Sequence, residues 1–184
     1  MNRERLIIML EIAILAALSV VLGYVKFGAL WAMGGSISLI MVPIFIMAFR
    51  RGLFVGLITG FIVGVINLLT GGYVVHPVQL VLDYPVAFTV LGFAGIMAVR
   101  NNSEKILTTR NIILGVILGA SLRFISHFIS GIVWFGQWAP DGWPVALYSF
   151  VYNISYLAPE SLITVAVIIL INRNYPQFFQ VSKK

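Results

Sequence analysis

Long apolar segments separated by short polar breaks run along almost the whole chain. The apolar segments lie near residues 5–25, 37–49, 52–70, 78–99, 110–136 and 145–171. About 20 consecutive apolar residues are enough for a helix to cross the roughly 30 Å hydrocarbon core of a bilayer. The pattern therefore predicts an all-α membrane protein with six transmembrane helices, which form a single domain over residues 1–184.

The first two apolar segments allow more than one interpretation. The first follows Arg3 and Arg5, as the core of a signal peptide would, but it is longer than such a core and no small-residue cleavage site follows it. We therefore interpret it as the first span. The second segment is short for a full span, so either it is tilted or residues 27–36 enter the protein as a re-entrant loop.

The basic residues are distributed unevenly over the connections between the segments. Most of them lie at the termini and in the second and fourth connections: Arg3, Arg5, Arg50, Arg51, Arg100, Lys105, Arg110, Arg173, Lys183 and Lys184. The first, third and fifth connections hold only Lys26. Because lysine and arginine are enriched in cytoplasmic loops, this distribution predicts that both termini are cytoplasmic.

The composition agrees with a membrane protein and excludes several other classes. The chain has 184 residues, of which 60% are hydrophobic and 10% charged, with a mean hydropathy of +1.02. Soluble domains contain about 25% charged residues. The net charge of +6 follows from the loop residues above, so it does not indicate nucleic-acid binding. Since there is no cysteine, disulfides and thiolate metal sites are excluded.

Ionisable residues inside the predicted spans are candidates for function, because charge within a membrane is costly. These residues are Glu11, Asp83, Arg123, His127 and Glu160. At about 1.5 Å per helical residue, Asp83 and His127 lie in the outer halves of their helices. The same side of the membrane holds aromatic and amide side chains: Trp31, Trp134, Trp138, Trp143, Tyr148, Tyr152 and Asn153.

This outer set of side chains suits a flat, cationic heterocycle. Indole and phenol faces attract a cation, and Asp83 supplies a compensating charge. Asn153 and His127 can exchange hydrogen bonds with ring nitrogens and amino groups. The alternatives are an interfacial belt of aromatic residues, a structural carboxylate at Asp83 and a packing role for His127.

The remaining polar and small residues of the spans have structural interpretations. Arg123 and Glu160 lie at similar depths in their predicted helices. Their depths therefore favour a structural ion pair over a transport relay. Three roles remain open for Glu11: packing, exposure to lipid and contact with a partner. Ala13 and Ala17 form a small face on the first helix, which favours either internal packing or the docking of another membrane protein.

The sequence contains no recognisable catalytic or nucleotide-binding motif. It has no HExxH, no GxSxG and no Walker lysine loop, so we expect neither an enzyme nor a bound cofactor or metal. If ATP drives transport, the ATPase must be a separate chain.

Several polar motifs in order along the chain resemble one known family. They are His76-Pro77-Val78-Gln79 followed by Asp83-Tyr84-Pro85, Arg123-Phe124 followed by His127-Phe128, and Gly142-Trp143 followed by Tyr148 and Tyr152-Asn153. This series is similar to the ThiT family, the thiamine-binding S-components of energy-coupling factor (ECF) transporters in the cell membrane of Gram-positive bacteria. The resemblance implies the six-helix S-component fold and capture of extracellular thiamine.

The same resemblance implies partners and a set of ligand contacts. The partners are the membrane coupling protein EcfT, docked on Ala13 and Ala17, and two EcfA-type ATPases. The implied ligand-contacting residues are Trp31, Asp83, Tyr84, His127, Gly131, Trp134, Tyr148 and Asn153. Some relatives have glutamate at the position of Asp83, and some have the helix-5 tryptophan one position later, where this chain has Phe135.

Three other functions compete with thiamine capture. The chain could be an S-component for another vitamin or a pyrimidine precursor, although an unpaired buried carboxylate disfavours a neutral ligand. It could be a small intramembrane enzyme that uses Asp83 and His127 as acid and base. It could also be a stand-alone proton-coupled carrier, but it lacks the internal repeat common in such carriers.

Overall fold

The computed structural model describes residues 3–31, 34–98, 100–101, 104–105 and 107–180; for residues 28–31, 34, 100–101 and 104–105 it describes the backbone alone. The main helices are α1 Arg3–Tyr24, α2 Met41–Arg51, α3 Leu53–Leu69, α4 Pro77–Met97, α5 Thr109–Trp134 and α6 Val145–Asn174. Two antiparallel hairpins pair β1 (Phe27–Trp31) with β2 (Gly34–Ile37) and β3 (Arg100–Asn101) with β4 (Glu104–Lys105). Short 3₁₀ turns at Gly136–Trp138 and Pro176–Phe178 follow α5 and α6.

The helices have the length and apolarity that a multi-pass membrane protein requires. Among the described residues, α1, α4, α5 and α6 are each long and apolar enough to cross a membrane. α3 is apolar as well but has 17 residues. The prediction of an all-α membrane protein is confirmed, and the strands of the described chain are confined to the two small hairpins.

The short helix α2 lies inside the bundle. All residues from Met41 to Phe49 are buried. A helix that is apolar on every side is expected to be surrounded by protein, and α1, α3, α4 and α6 pack around α2. The second apolar segment is therefore short because it forms the core. Residues 27–31 and 34–37 form the β1–β2 hairpin in place of a re-entrant loop.

Glycines allow α3 to pack closely on its neighbours. A Cβ atom at Gly56 would lie 2.7 Å from the Cβ of Ala48 on α2. One at Gly64 would lie 3.0 Å from the Cα of Pro85 on α4. Small residues let helix backbones approach in this way, so α3 holds α4 at the distance that the interior of the bundle requires.

Helix α4 consists of four successive stretches of three helical types: Pro77–Val81 (α), Leu82–Val86 (π), Ala87–Thr89 (α) and Val90–Met97 (3₁₀). The π turn contains Pro85, whose missing N–H interrupts the hydrogen-bond ladder. Hydroxyl groups bond to two carbonyls of this turn: Ser126 donates to Leu82 at 2.7 Å and Thr89 to Pro85 at 2.5 Å. π turns are frequent at functional sites, and this one contains Asp83.

Ion pairs join the helices at the end of the bundle where α2 meets α3. The carboxylate of Glu11 on α1 lies 3.0 Å from Nη2 of Arg50 and 2.5 Å from Nε of Arg51. Arg50 also donates to the carbonyl of Phe178 and lies 4.9 Å from the centre of its ring. The role of Glu11, which the sequence left open, is therefore structural: its ion pairs connect α1 to the junction between α2 and α3.

Candidate binding site

A cavity of about 320 Å³ lies between the helices at the end of the bundle opposite the Glu11 ion pairs. Residues of α1, α3, α4, α5 and α6, of β2 and of the α1–β1, β2–α2 and α3–α4 connections line it. Sites for small molecules typically enclose about 300–1,000 Å³. The volume therefore fits one small molecule, and the polar part of the lining determines what that molecule can be.

The carboxylate of Asp83 receives three hydrogen bonds at the edge of this cavity. Oδ2 accepts from Nε2 of Gln79 at 2.7 Å and from the hydroxyl of Ser130 at 2.8 Å. Oδ1 lies 3.0 Å from Nδ1 of His127. The carboxylate is thus fixed in position by side chains from α4 and α5.

The imidazole of His127 lies between Asp83 and Arg123. Its Nε2 accepts a hydrogen bond from Nε of Arg123 at 3.3 Å. Because arginine can only donate, Nε2 must carry a lone pair, and the ring proton is assigned to Nδ1, which donates to Asp83. Both nitrogens of His127 therefore have partners within the protein.

Arg123 and Glu160 are buried side by side. Nη1 of Arg123 lies 3.5 Å from Oε2 of Glu160, and the two side chains are 7% and 1% exposed. The guanidinium lies 4.4 Å from the ring centre of Phe88. Glu160 Oε1 accepts from the hydroxyl of Ser38 at 2.8 Å. Nη1 itself has no hydrogen-bond partner among the described residues.

Tyrosines on one face of α6 form an aromatic wall of the cavity. The ring centres of Tyr148 and Tyr152 are 5.9 Å apart, as are those of Tyr152 and Tyr156. The four-residue spacing brings these side chains to the same side of the helix. Tyr156 donates to Oδ1 of Asn153 at 2.9 Å, and the Asn153 amide donates to the carbonyl of Ser149 at 2.9 Å.

Six of the ligand-contacting residues implied by the sequence line the cavity: Asp83, Tyr84, His127, Gly131, Tyr148 and Asn153. Trp134 stacks on His76 with ring centres 5.1 Å apart and is not part of the lining, which contains Phe135 instead. The side chain of Trp31 lies outside the described residues. Ala13 and Ala17 are exposed on α1, whereas Ala16 is buried.

The structure adds lining residues that the sequence interpretation did not select. These are chiefly Gln79 and Ser130, which hold Asp83, and Tyr156, which extends the aromatic wall. A signal for Gln79 was available, because it precedes Asp83 by four residues on a predicted helix. Ser130 offered no comparable signal, since its partner lies on another helix.

The family model described as "Thiamine transporter protein (Thia_YuaJ)" matches residues 9–180. The chain is 38% identical over 192 residues to the thiamine transporter ThiT of Bacillus subtilis, and this similarity covers 100% of both chains. It is 32% identical over 188 residues to ThiT of Lacticaseibacillus paracasei, covering 97% of this chain and 92% of the relative.

A solved structure has the same fold. It is a ThiT from Listeria monocytogenes, which superposes with a TM-score of 0.83 at 28% identity. The superposition covers 96% of this chain and 99% of the other. The similarity in sequence and in fold therefore extends over nearly the whole molecule.

Proposed function

The chain belongs to the thiamine transporter protein family (Thia_YuaJ), and on that premise we propose that it is the thiamine-capturing S-component of an energy-coupling factor importer. It is a multi-pass membrane protein and a transport protein rather than an enzyme. In the proposal it lies in the cell membrane of a Gram-positive bacterium, with its cavity open to the outside.

The observation that carries the proposal is the uncompensated charge of Asp83. Its three hydrogen-bond donors are an amide, a hydroxyl and an imidazole whose Nε2 accepts from Arg123. The cation Arg123 instead lies beside Glu160. Lys26 also lines the cavity but is exposed to solvent. The charged groups away from solvent, Asp83, Glu160 and Arg123, together carry one net negative charge in their ordinary ionised forms, which matches a monocation such as thiamine.

The aromatic wall supplies the second part of the recognition. Electron-rich ring faces attract a desolvated cation by about 0.5–2 kcal/mol each. Tyr148 and Tyr152 lie within the same cavity as Asp83, so a flat ligand can stack on a ring while its charge remains near the carboxylate. A neutral ligand would leave the carboxylate buried without a counter-ion, which is costly.

We propose the following ligand contacts: Asp83, Tyr84, His127, Gly131, Tyr148 and Asn153, with Trp31 as a further contact from the hairpin region. Phe135 rather than Trp134 is the aromatic residue that the end of α5 directs at the ligand, because it lines the cavity. His127 contributes through its ring face and through its hold on Asp83, since both of its nitrogens have protein partners.

The proposed partners are the EcfT coupling protein and two EcfA-type ATPases. The small residues Ala13 and Ala17 lie on the exposed side of α1, where they permit the close approach of a partner helix. That face lies away from the cavity, so docking and substrate capture use separate surfaces. Energy for uptake would then come from the partner chains.

The proposal is tested by binding measurements on the purified protein in detergent. Thiamine should bind one site per chain and change the tryptophan fluorescence of the protein. Mass spectrometry of the small molecule that co-purifies should identify thiamine. Tight binding of riboflavin together with no response to thiamine would contradict the proposal.

A further inference from the structure

Gln79 is a fully buried amide beside Asp83, in the first turn of α4. Its side chain is 1% exposed. Nε2 donates to Oδ2 of Asp83 at 2.7 Å and to the carbonyl of Tyr73 at 3.0 Å. Oε1 accepts from the backbone N–H of Val75 at 3.0 Å. One side chain thus bonds both to the candidate ligand-binding carboxylate and to the α3–α4 connection.

Both N–H donors of Gln79 are committed to these contacts. A glutamine amide has two N–H donors, and both have acceptors here. Gln79 therefore has no donor left for a bound ligand, although it lies in the wall of the cavity. Whatever its N–H groups contribute to binding acts through Asp83 and the neighbouring backbone.

The α3–α4 connection is held to α4 at a second point. The hydroxyl of Tyr84 accepts from the backbone N–H of Tyr73 at 2.6 Å. Gln79 and Tyr84 thus bond to opposite polar groups of the same residue, Tyr73. Because Gln79 also bonds to Asp83, a shift of Tyr73 or Val75 would be transmitted to the carboxylate.

We propose that Gln79 is a positioning residue for substrate binding, which orients the Asp83 carboxylate and links its orientation to the Tyr73–Val75 backbone. This inference rests on the proposed function, because it takes thiamine binding as the quantity that Gln79 controls. It differs from a general packing role, since packing would not depend on the presence of the carboxylate at position 83.

A double-mutant cycle separates the two roles. Gln79→Met keeps the length of the side chain and removes its hydrogen bonds, so thiamine affinity should fall roughly 10- to 100-fold, as for the loss of a hydrogen bond to a charged group. In an Asp83→Ala background the same change should alter affinity by less than about threefold. An equal loss in both backgrounds would overturn the proposal. Gln137→Met, at an exposed position outside the lining, is the matched control and should bind normally.

A second variant, Gln79→Glu, tests the proposal through the direction in which thiamine affinity changes with pH. The oxygen that replaces Nε2 would face two acceptors, Tyr73 O and Asp83 Oδ2. A protonated carboxyl can still donate to Asp83 but not to Tyr73 as well, whereas an ionised one can donate to neither. Two carboxylates at this distance share one proton. When that proton is lost, repulsion displaces Asp83, and thiamine affinity should fall as pH rises from about 5.5 to 8.5.

The opposite trend would argue against positioning. If the new carboxylate acted only through its charge, it would attract the cation more strongly once ionised, and affinity would rise with pH. A flat profile would likewise overturn the proposal. The other titratable and charged side chains that line the cavity are present in the wild type as well: Lys26, Tyr73, Asp83, Tyr84, Arg123, His127, Tyr148, Tyr152, Tyr156 and Glu160. Wild type and Gln137→Met measured at the same pH values therefore correct for their titration.

The wild-type protein distinguishes failure of this inference from failure of the proposed function. If the wild type does not bind thiamine, the proposed function fails irrespective of Gln79. If the wild type binds thiamine and the Gln79 variants bind it equally well at every pH, the function stands and the positioning role is wrong. Melting temperatures of the ligand-free variants show whether each is folded.

Discussion

We expect Asp83→Asn to weaken thiamine binding substantially while preserving the shape of the cavity. The substitution removes the negative charge that three protein donors hold in place. A hydrogen bond to a charged group contributes about 1.5–3 kcal/mol. Affinity should therefore fall roughly 10- to 150-fold, given about 1.4 kcal/mol for each factor of ten.

The substitution should also lower the stability of the protein, because the groups around Asp83 are hydrogen-bond donors. An asparagine amide placed at Oδ2 would face Nε2 of Gln79, which is 2.7 Å away, donor against donor. Rotating the amide would instead place its NH₂ against Nδ1–H of His127, whose other nitrogen already accepts from Arg123. Neither rotamer satisfies every group, so the variant should also be less stable, by about 1–3 kcal/mol for an unmade buried hydrogen bond.

Isothermal titration with thiamine and thermal unfolding without ligand measure the two costs separately. Affinity should fall by the factor given above, and the melting temperature should fall modestly. Ser130→Ala is an informative control, because it removes one donor and leaves the charge, so its loss of affinity should be smaller. Unchanged affinity in Asp83→Asn would refute the reasoning and remove Asp83 from the binding site.

Three further expectations concern other parts of the molecule. Asn153→Leu should weaken thiamine binding about tenfold with folded yield retained; loss of expression would make its role structural. Arg123→Met should lower the free energy of unfolding by about 3–5 kcal/mol, because it leaves Glu160 buried without its cation, and adding Glu160→Gln should recover part of that loss in thermal unfolding. Replacing Ala13 and Ala17 with tryptophan should block cellular thiamine uptake but leave binding in detergent intact; normal uptake would contradict docking on this face.

Much of the fold could be predicted from hydrophobic pattern alone, since α1, α4, α5 and α6 each fill a predicted span. The pattern could not place α2. Lipid and protein interior are both apolar, so a run of apolar residues does not reveal which of them surrounds it. The β1–β2 hairpin was missed for a related reason, because a short glycine-containing connection has no strong strand periodicity.

The site was partly predictable because ionisable residues within spans are rare. Asp83, His127 and Arg123 stood out by their depth in the predicted helices, and the structure brings them into contact. The placement of Trp134 could not be derived in the same way. The end of α5 at Trp134 determines which of two adjacent aromatic side chains enters the cavity, and element ends are the least certain feature of any sequence-based prediction.

The spacing of polar residues explains how one chain can hold an uncompensated carboxylate in its interior. On α5, Arg123 and His127 are one turn apart, so the guanidinium fixes the imidazole without touching Asp83. Glu160 on α6 neutralises Arg123, which therefore does not neutralise Asp83 through space. Replacing either Arg123 or Glu160 by a neutral residue would change the electrostatic field at Asp83 as well as the stability of the bundle. In the proposed function the pair therefore has a structural and an electrostatic role, because it would leave the charge of Asp83 available for a cationic ligand.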